Sequence, residues 1–437
     1  MMTRPALLVL VFAACSGTAP MEDPIRMLSA EVGDPIGTVV TVSWETTEAS
    51  TGYVEFGTDG AFDRSTRVES SAGTDHAARL VGLPQDTEIS YRVVVGDQVG
   101  QPQTITTGTL PGGPELVVEG SGQDLFLTLP FLFPDNTQIG MVDPEGRLVW
   151  IHRAATDLAV YRSRVALDGS GIVYSATLNA GLPDPASTIV RVGWDGEEIS
   201  RTAIPDLAHD FVELDDGTLV TLAYELRDDI EGNMLLSVAP DGTVTELWST
   251  WDCFDPDTHV SDDVVPGWTH ANALDYDEAS DSFLVGLRNF GTIVQVKQDG
   301  TCGWSIGGVG GTMEVTGQRF THQHQFQRLD GGGLLVFDND GASGQVSRAI
   351  EYSLDEAADT ARLERILVAE PPIYTFILGD VHRSGNGDTT IVWAVAGTVD
   401  RMAADDTRLW RLTNNDNALF GFTHFLKDPG RPELGAP

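Results

Sequence analysis

Histidine is sparse in this chain, nine among 437 residues, and where they fall matters more than their number. His209-Asp210-Phe211, His270-Ala271-Asn272, His322-Gln323-His324 and His382-Arg383 each stand just before the first strand pair of a recurring unit. A lone histidine in a strand is more often a satisfied core or surface residue. Recurrence at one phase of a repeat reverses that expectation, because equivalent positions of neighbouring units converge on a common axis. Imidazoles gathered there have two chemistries open to them. A neutral ring nitrogen is a competent nucleophile near neutral pH, and a second ring can give and take a proton. His259, in the acidic stretch 252–263, reads as a surface residue, and His76 belongs to a separate N-terminal segment. The sequence has no G-x-S-x-G elbow, no P-loop and no tryptophan docking repeat of the quinoprotein kind, so serine and nucleotide hydrolysis have no support.

The elements that must position these residues read as all-β. Short Val/Ile/Leu/Thr runs alternate with 47 glycines and 22 prolines, and no 3.6-residue amphipathic pattern persists. Beyond residue 114 a bipartite pattern recurs, two strand pairs each built on a turn of the Asp-Gly kind. One series of turns is Glu145-Gly146, Asp195-Gly196, Asp241-Gly242, Asp299-Gly300 and Asp355-Glu356, spaced by roughly 46 to 58 residues. That is the length of a four-stranded propeller blade with a loop. With a degenerate last unit over 382–412 the expectation is a six-bladed β-propeller over 114–430, five or seven blades remaining open. Either 115–129 or 419–426 is expected to supply the strand that completes the ring.

Residues 24–110 form a separate unit, ended by Pro111-Gly112-Gly113-Pro114. Val40-Thr41-Val42-Ser43-Trp44 and Gly52-Tyr53-Val54-Glu55-Phe56 read as strands. The run from Leu83 through Tyr91 to Val93 resembles a fibronectin type III or purple-acid-phosphatase N-terminal module, a small β-sandwich acting as spacer or docking unit. Before it, Arg4, an apolar run and Phe12-Ala13-Ala14-Cys15 look like an export signal ending in a lipobox. The expectation is a signal peptide over 1–15, lipidated Cys15, a flexible tether over 16–23, and a periplasmic or cell-surface lipoprotein. The apolar run is too short to span a bilayer, so the membrane is met only through the anchor.

A formal charge of −39 repels phosphate backbones and excludes nucleic acid as a partner. The acidic residues are scattered through turns, as on a strongly solvated surface, with calcium in Asp-rich turns the lesser reading. Besides Cys15 only Cys253 and Cys302 remain. In an oxidising compartment they suit a disulfide, and two isolated thiols are the alternative. Neither lies in a C-x-x-C spacing, which disfavours zinc.

Three motifs then occur in a recognisable order: His209-Asp210 ahead of 214–219; His270-Ala271-Asn272-Ala273-Leu274 with Leu287-Arg288 downstream; and Gln323-His324 with Phe337-Asp338-Asn339. With the ending Leu419-Phe420-Gly421-Phe422, the stretch 115–425 resembles the arylsulfotransferase family. The resemblance implies transfer of a sulfuryl group from a phenolic sulfate ester to an acceptor phenol, ping-pong, through a covalent sulfohistidine, with no nucleotide donor, cofactor or metal. It makes His324 the nucleophile and assigns His209, His270, Arg288 and Asn272 to sulfate binding and assistance of the departing phenol. Gln325 follows His324 where many family members carry an acid, which leaves open what orients the nucleophilic ring. His322, two residues from His324 and expected on the same side of a strand, is the alternative nucleophile. His382 is expected to line the same funnel. The competing readings are a surface ligand-binding propeller without turnover and a multi-histidine metal hydrolase.

Overall fold

The computed structural model describes residues 25–154, 158–178, 182–261, 265–339 and 346–432. The expected signal, lipobox and tether lie outside them. The N-terminal unit is two sheets. One orders Ile25–Val32, Val40–Ser50 and Gly73–Leu80; the other is centred on Gly52–Thr58 and Glu88–Val95. Alternate residues of Val40–Ser50 and Gly52–Thr58 are buried, as the two-residue strand period requires. Trp44, Phe56, Leu83 and Tyr91 fill the space between the sheets.

Six further sheets, antiparallel but for one pair, follow among the described residues. The innermost strands of the second to sixth are Ser163–Val165, Leu207–Glu213, Ala271–Asp277, Phe326–Arg328 and Asp380–Arg383, each followed outward by three more strands in sequence order. In the first sheet His424–Leu426 and Leu419–Phe420 pair with Phe126–Leu132 on its inner side. In the sixth, Leu116–Gly120 pairs with Arg408–Asn414 on the outer side. Each of the two segments that were open as closing strands thus pairs with a sheet from the opposite end of the repeat region. The fifth sheet carries an addition the repeat did not foretell, Glu314–Thr316 lying parallel to Thr360–Leu367.

The turns explain part of the acidity. Gly217, Gly242 and Gly300 have φ of 81°, 85° and 77°, a region that suits glycine. The preceding Asp216, Asp241 and Asp299 each accept a bond from the backbone N–H two residues on, at 2.9, 2.9 and 3.0 Å. Apolar clusters fill the spaces between adjacent sheets, the largest running from Trp150 and Trp194 through Phe131 to Trp410.

The N-terminal unit packs on the end of the first two sheets that holds turns 168–169 and 194–196. Arg79 pairs with Asp195 at 3.1 Å, Thr38 bonds the Val149 carbonyl at 2.6 Å, and Arg67 bonds the Pro432 carbonyl at 2.7 Å. Glu213, the far end of an inner strand that carries His209 near its start, bonds the Leu167 N–H at this same end. The N-terminal unit thus sits away from the end of the axis where His209 lies.

Candidate active site

Three inner strands bring histidines to that opposite end. His209 lies in a register shift between Leu207 and Phe211, a local bulge that re-aims its side chain. His270 precedes its strand with φ of 47°, a left-handed conformation rare for a residue with a Cβ. It is held there by neighbours: Asn233 Oδ1 accepts from Ala271 N and Thr269 Oγ1 at 2.7 and 2.8 Å, and Arg288 N donates to the His270 carbonyl at 3.1 Å. Such strain persists only where the surroundings over-determine it.

The rings of His209 and His270 lie 5.0 Å apart, and Tyr161 stacks on His209 at 5.9 Å. Burial is the main force holding His209 well below its usual pKa, and charge on His270, His324 and Arg288 adds to it. The ring contact and the bond from Arg288 N to the His270 carbonyl join His209, His270 and Arg288 directly. Arg288, nearly buried, donates to Asn289 Oδ1 at 2.8 Å, and Asn289 is fixed in turn by the Val265 and Gly267 carbonyls.

His324 is 3% exposed; Asn339 orients its ring, and the His322 backbone also interacts with it. Its Nδ1 lies 2.7 Å from Asn339 Oδ1, while Asn339 Nδ2 donates to the Thr375 and Leu378 carbonyls, both at 2.8 Å. Two carbonyls fix which way the amide points, so the atom facing the ring is an acceptor. The ring proton therefore resides on Nδ1 and the lone pair on Nε2. Burial pushes the His324 pKa down to about 3; the Asn339 bond opposes that fall and the Arg288 charge adds to it. The ring is neutral at physiological pH.

Beneath the histidines lies a buried polar layer. Arg162 grips Asp210 through Nε and Nη2 at 2.7 and 3.2 Å and donates to Gln325 Oε1 at 2.9 Å. Gln325 Nε2 donates back to Asp210 at 2.7 Å. This gives the departure at position 325 a physical reason. Gln325 both accepts from the arginine and donates to the aspartate, whereas an acid there would face Asp210 with like charge.

The other expected site residues fall as follows. Asn272 is fully buried and donates to the Gln323 carbonyl at 2.8 Å, so it secures the segment leading into His324 and its Nδ2 is committed to backbone. His322 and His324 do not share a strand: Phe326–Arg328 begins beyond both, His324 N donates to the Phe337 carbonyl at 3.1 Å, and a φ of 54° at His322 breaks the alternation. His382 is separated from the cluster. It stacks on Phe425 at 4.6 Å and lines a cavity on the other side of the Arg162 layer. Cys253 and Cys302 are joined in a disulfide that ties the turn Thr250–Asp252 to the outer strand Cys302–Gly307. His259 is exposed and His76 is buried in the N-terminal unit, stacked on Trp44. Sequence reasoning missed Asn339 as the partner of His324, although it stands in the F-D-N run. It also missed Tyr161 and Thr375; the latter's buried Oγ1 has no hydrogen-bond partner among the described residues. No group of three or more potential metal ligands is assembled among the described residues.

The family model for arylsulfotransferases matches residues 118–420, which takes in every strand and loop of this site. The chain belongs to the arylsulfotransferase family. At the level of the family this implies aryl sulfotransferase activity on aryl sulfate and phenol substrates, independent of a nucleotide sulfate donor. No curated protein matches this arylsulfotransferase-family chain. Among solved structures, a Bacteroides caccae protein of unknown function is 14% identical, covering 70% of this chain and 100% of its own, with a TM-score of 0.47. A streptogramin B lyase is 12% identical, covering 72% and 95%, with a TM-score of 0.42. The periplasmic gluconolactonase of Pseudomonas aeruginosa is 11% identical, covering 69% and 99%, with a TM-score of 0.40. None of these likenesses bears on function.

Proposed function

We propose that this chain transfers a sulfuryl group from an aryl sulfate to an acceptor phenol through a sulfated His324, on a six-bladed propeller that follows a fibronectin type III-like module. The observation that carries this reading is the fixed Asn339 amide, which leaves the His324 Nε2 lone pair available. In the first half-reaction Nε2 attacks sulfur, an N–S bond forms, and the S–O bond to the phenol breaks with its electron pair going to the phenolate. Arg288 faces the sulfuryl oxygens, whose charge its guanidinium offsets, and His270, whose Nδ1 donates to the Pro266 carbonyl at 3.1 Å, stands beside it. Burial chiefly keeps His209 neutral in the empty site; the negative charge of the bound donor favours uptake of one proton from solvent, which His209 passes to the departing phenolate. In the second half-reaction His209 takes the acceptor's proton, the new phenolate attacks sulfur, and His324 is released. Asn272 is a positioning residue on this reading, acting through the Gln323 carbonyl. The chain is further proposed to be an exported lipoprotein anchored at Cys15, which metabolic labelling with a fatty acid would test.

The test is release of 4-nitrophenol from 4-nitrophenyl sulfate, with and without phenol, by the wild-type chain and His324→Ala. Phenol-dependent release that disappears in the variant is the expected result. Retained release in the variant would overturn the assignment.

A further inference from the structure

On the side of the Arg162 layer away from His324, the axis opens into a cavity of about 660 Å3. That volume is in the range of small-molecule sites. Its walls include Val165, Phe326 and Phe425, and its polar groups are incompletely matched within the protein. Arg164 donates through Nε to the Phe211 carbonyl at 2.9 Å, but its terminal nitrogens make no hydrogen bond among the described residues. Asp210 lies 4.0 Å from it and is already gripped by Arg162. Val165 N donates to His424 Nδ1 at 3.0 Å, so the His424 ring, kept neutral chiefly by burial, carries its proton on Nε2. His382 Nε2, on a residue 5% exposed, has no partner among the described residues.

Across the same space stand carboxyls. Asp275 has no cation within ion-pair distance among the described residues, and burial pushes it up to about 6. Asp380 accepts from the Thr423 and Val381 N–H groups at 2.8 and 2.9 Å, and burial pushes it up to about 7. Arg164 and Asp275 are close enough to alter each other's pKa yet do not touch. An anion alone would satisfy Arg164 while adding negative charge beside Asp275, and a cation alone would do the reverse. A molecule bearing both charges meets both walls, and the apolar lining takes its remaining part.

We propose that this cavity is a second binding site, separate from the sulfuryl site, which takes an apolar α-amino acid. Its carboxylate meets Arg164 and His424 and its ammonium meets Asp275 and Asp380. The test is isothermal titration of the full chain with L-phenylalanine, 3-phenylpropionate and phenethylamine, with no aryl sulfate present, so that it does not depend on turnover. L-Phenylalanine, having no phenolic hydroxyl, is not an acceptor. The expected result is one saturable site for L-phenylalanine, with each singly charged analogue weaker by roughly tenfold or more. Arg164→Met and Asp275→Asn are each expected to weaken L-phenylalanine similarly while keeping phenol-dependent 4-nitrophenol release and a cooperative melt. No heat with L-phenylalanine on the wild-type chain overturns the proposal. So does equal binding of either analogue, or undiminished binding in both variants.

Discussion

Replacing Asn339 by alanine separates a site that merely contains a histidine from one that holds it in a chosen tautomer. In the wild-type chain the amide commits its Nδ2 to two carbonyls and its Oδ1 to His324. Without it the Nδ1–H of a buried ring loses its acceptor, a deficit of about 1–3 kcal/mol that the ring can partly relieve by moving its proton to Nε2. That move removes the nucleophilic lone pair. At tenfold per ~1.4 kcal/mol, the donor half-reaction of Asn339→Ala is expected to slow by about 10- to 100-fold, with little change in KM for the donor. Asn339→Asp keeps an acceptor for Nδ1 but adds a negative charge, which raises the His324 pKa from about 3 and draws an acid limb upward into the measurable range. Both variants leave the Thr375 and Leu378 carbonyls without their donor, and Asn339→Asp also sets a carboxylate oxygen against them, so it is expected to be the less stable of the two. The assay is the pre-steady-state burst of 4-nitrophenol across pH 5–9, with urea unfolding of each variant alongside. An unaltered burst rate in well-folded Asn339→Ala would refute the reasoning. A fall matched by loss of folded protein would refute it equally.

Arg162→Met leaves Asp210 buried without its bidentate partner and Asp380 without its nearest cation, and about 3–5 kcal/mol of stability should go with it in urea unfolding. Replacing Cys253 and Cys302 by serine opens a loop spanning a separation of 49 residues, for which chain entropy gives about 4 kcal/mol as the upper end of the loss. Acid should unfold the chain. His324 and His382 are pushed down to about 3, and His209 and His424 also lie well below the usual value, all mainly by burial, so the unfolded chain binds their protons first once pH drops below about 6.5. Asp275 and Asp380, raised to about 6 and about 7, act with the opposite sign because the folded state protonates them first. Four histidines outweigh two carboxyls, so stability falls between pH 6.5 and 4. Removing one histidine in His382→Gln should shallow that slope by about 1.4 kcal/mol per pH unit, and an unaltered slope would contradict the assignment.

The repeat was legible because it is written in turn chemistry: each Asp-Gly turn needs a residue at positive φ and a carboxylate to catch the following N–H, so the blade-length spacing shows through weakly related strands. That His209, His270 and His324 lie at one end of the inner strands was legible from their phase within that repeat. His382 was misplaced by the same logic. Asp210, Gln325 and Asp380 all surround Arg162, so the position preceding Asp380 is the one that corresponds to His209 and His324. That position is Gly379, where a Cβ would lie 2.1 Å from Phe337, so no histidine fits; His382 stands three residues further along the axis. Asn339 could be seen but not assigned a role. Its function depends on the carbonyls of Thr375 and Leu378, in an irregular segment 36 and 39 residues away that carries no repeat signal. The layer under the site was invisible for the same reason, since Arg162, Asp210 and Gln325 come from three sheets and meet only on the axis.

The most direct measurement is to mix the chain with 4-nitrophenyl sulfate in the absence of any acceptor, quench in alkali, and locate the added SO3 by mass spectrometry of peptides. The expected result is one SO3 on His324 that disappears when phenol is added before the quench. An SO3 on His322 instead, or steady turnover with no sulfated histidine, would contradict the central claim.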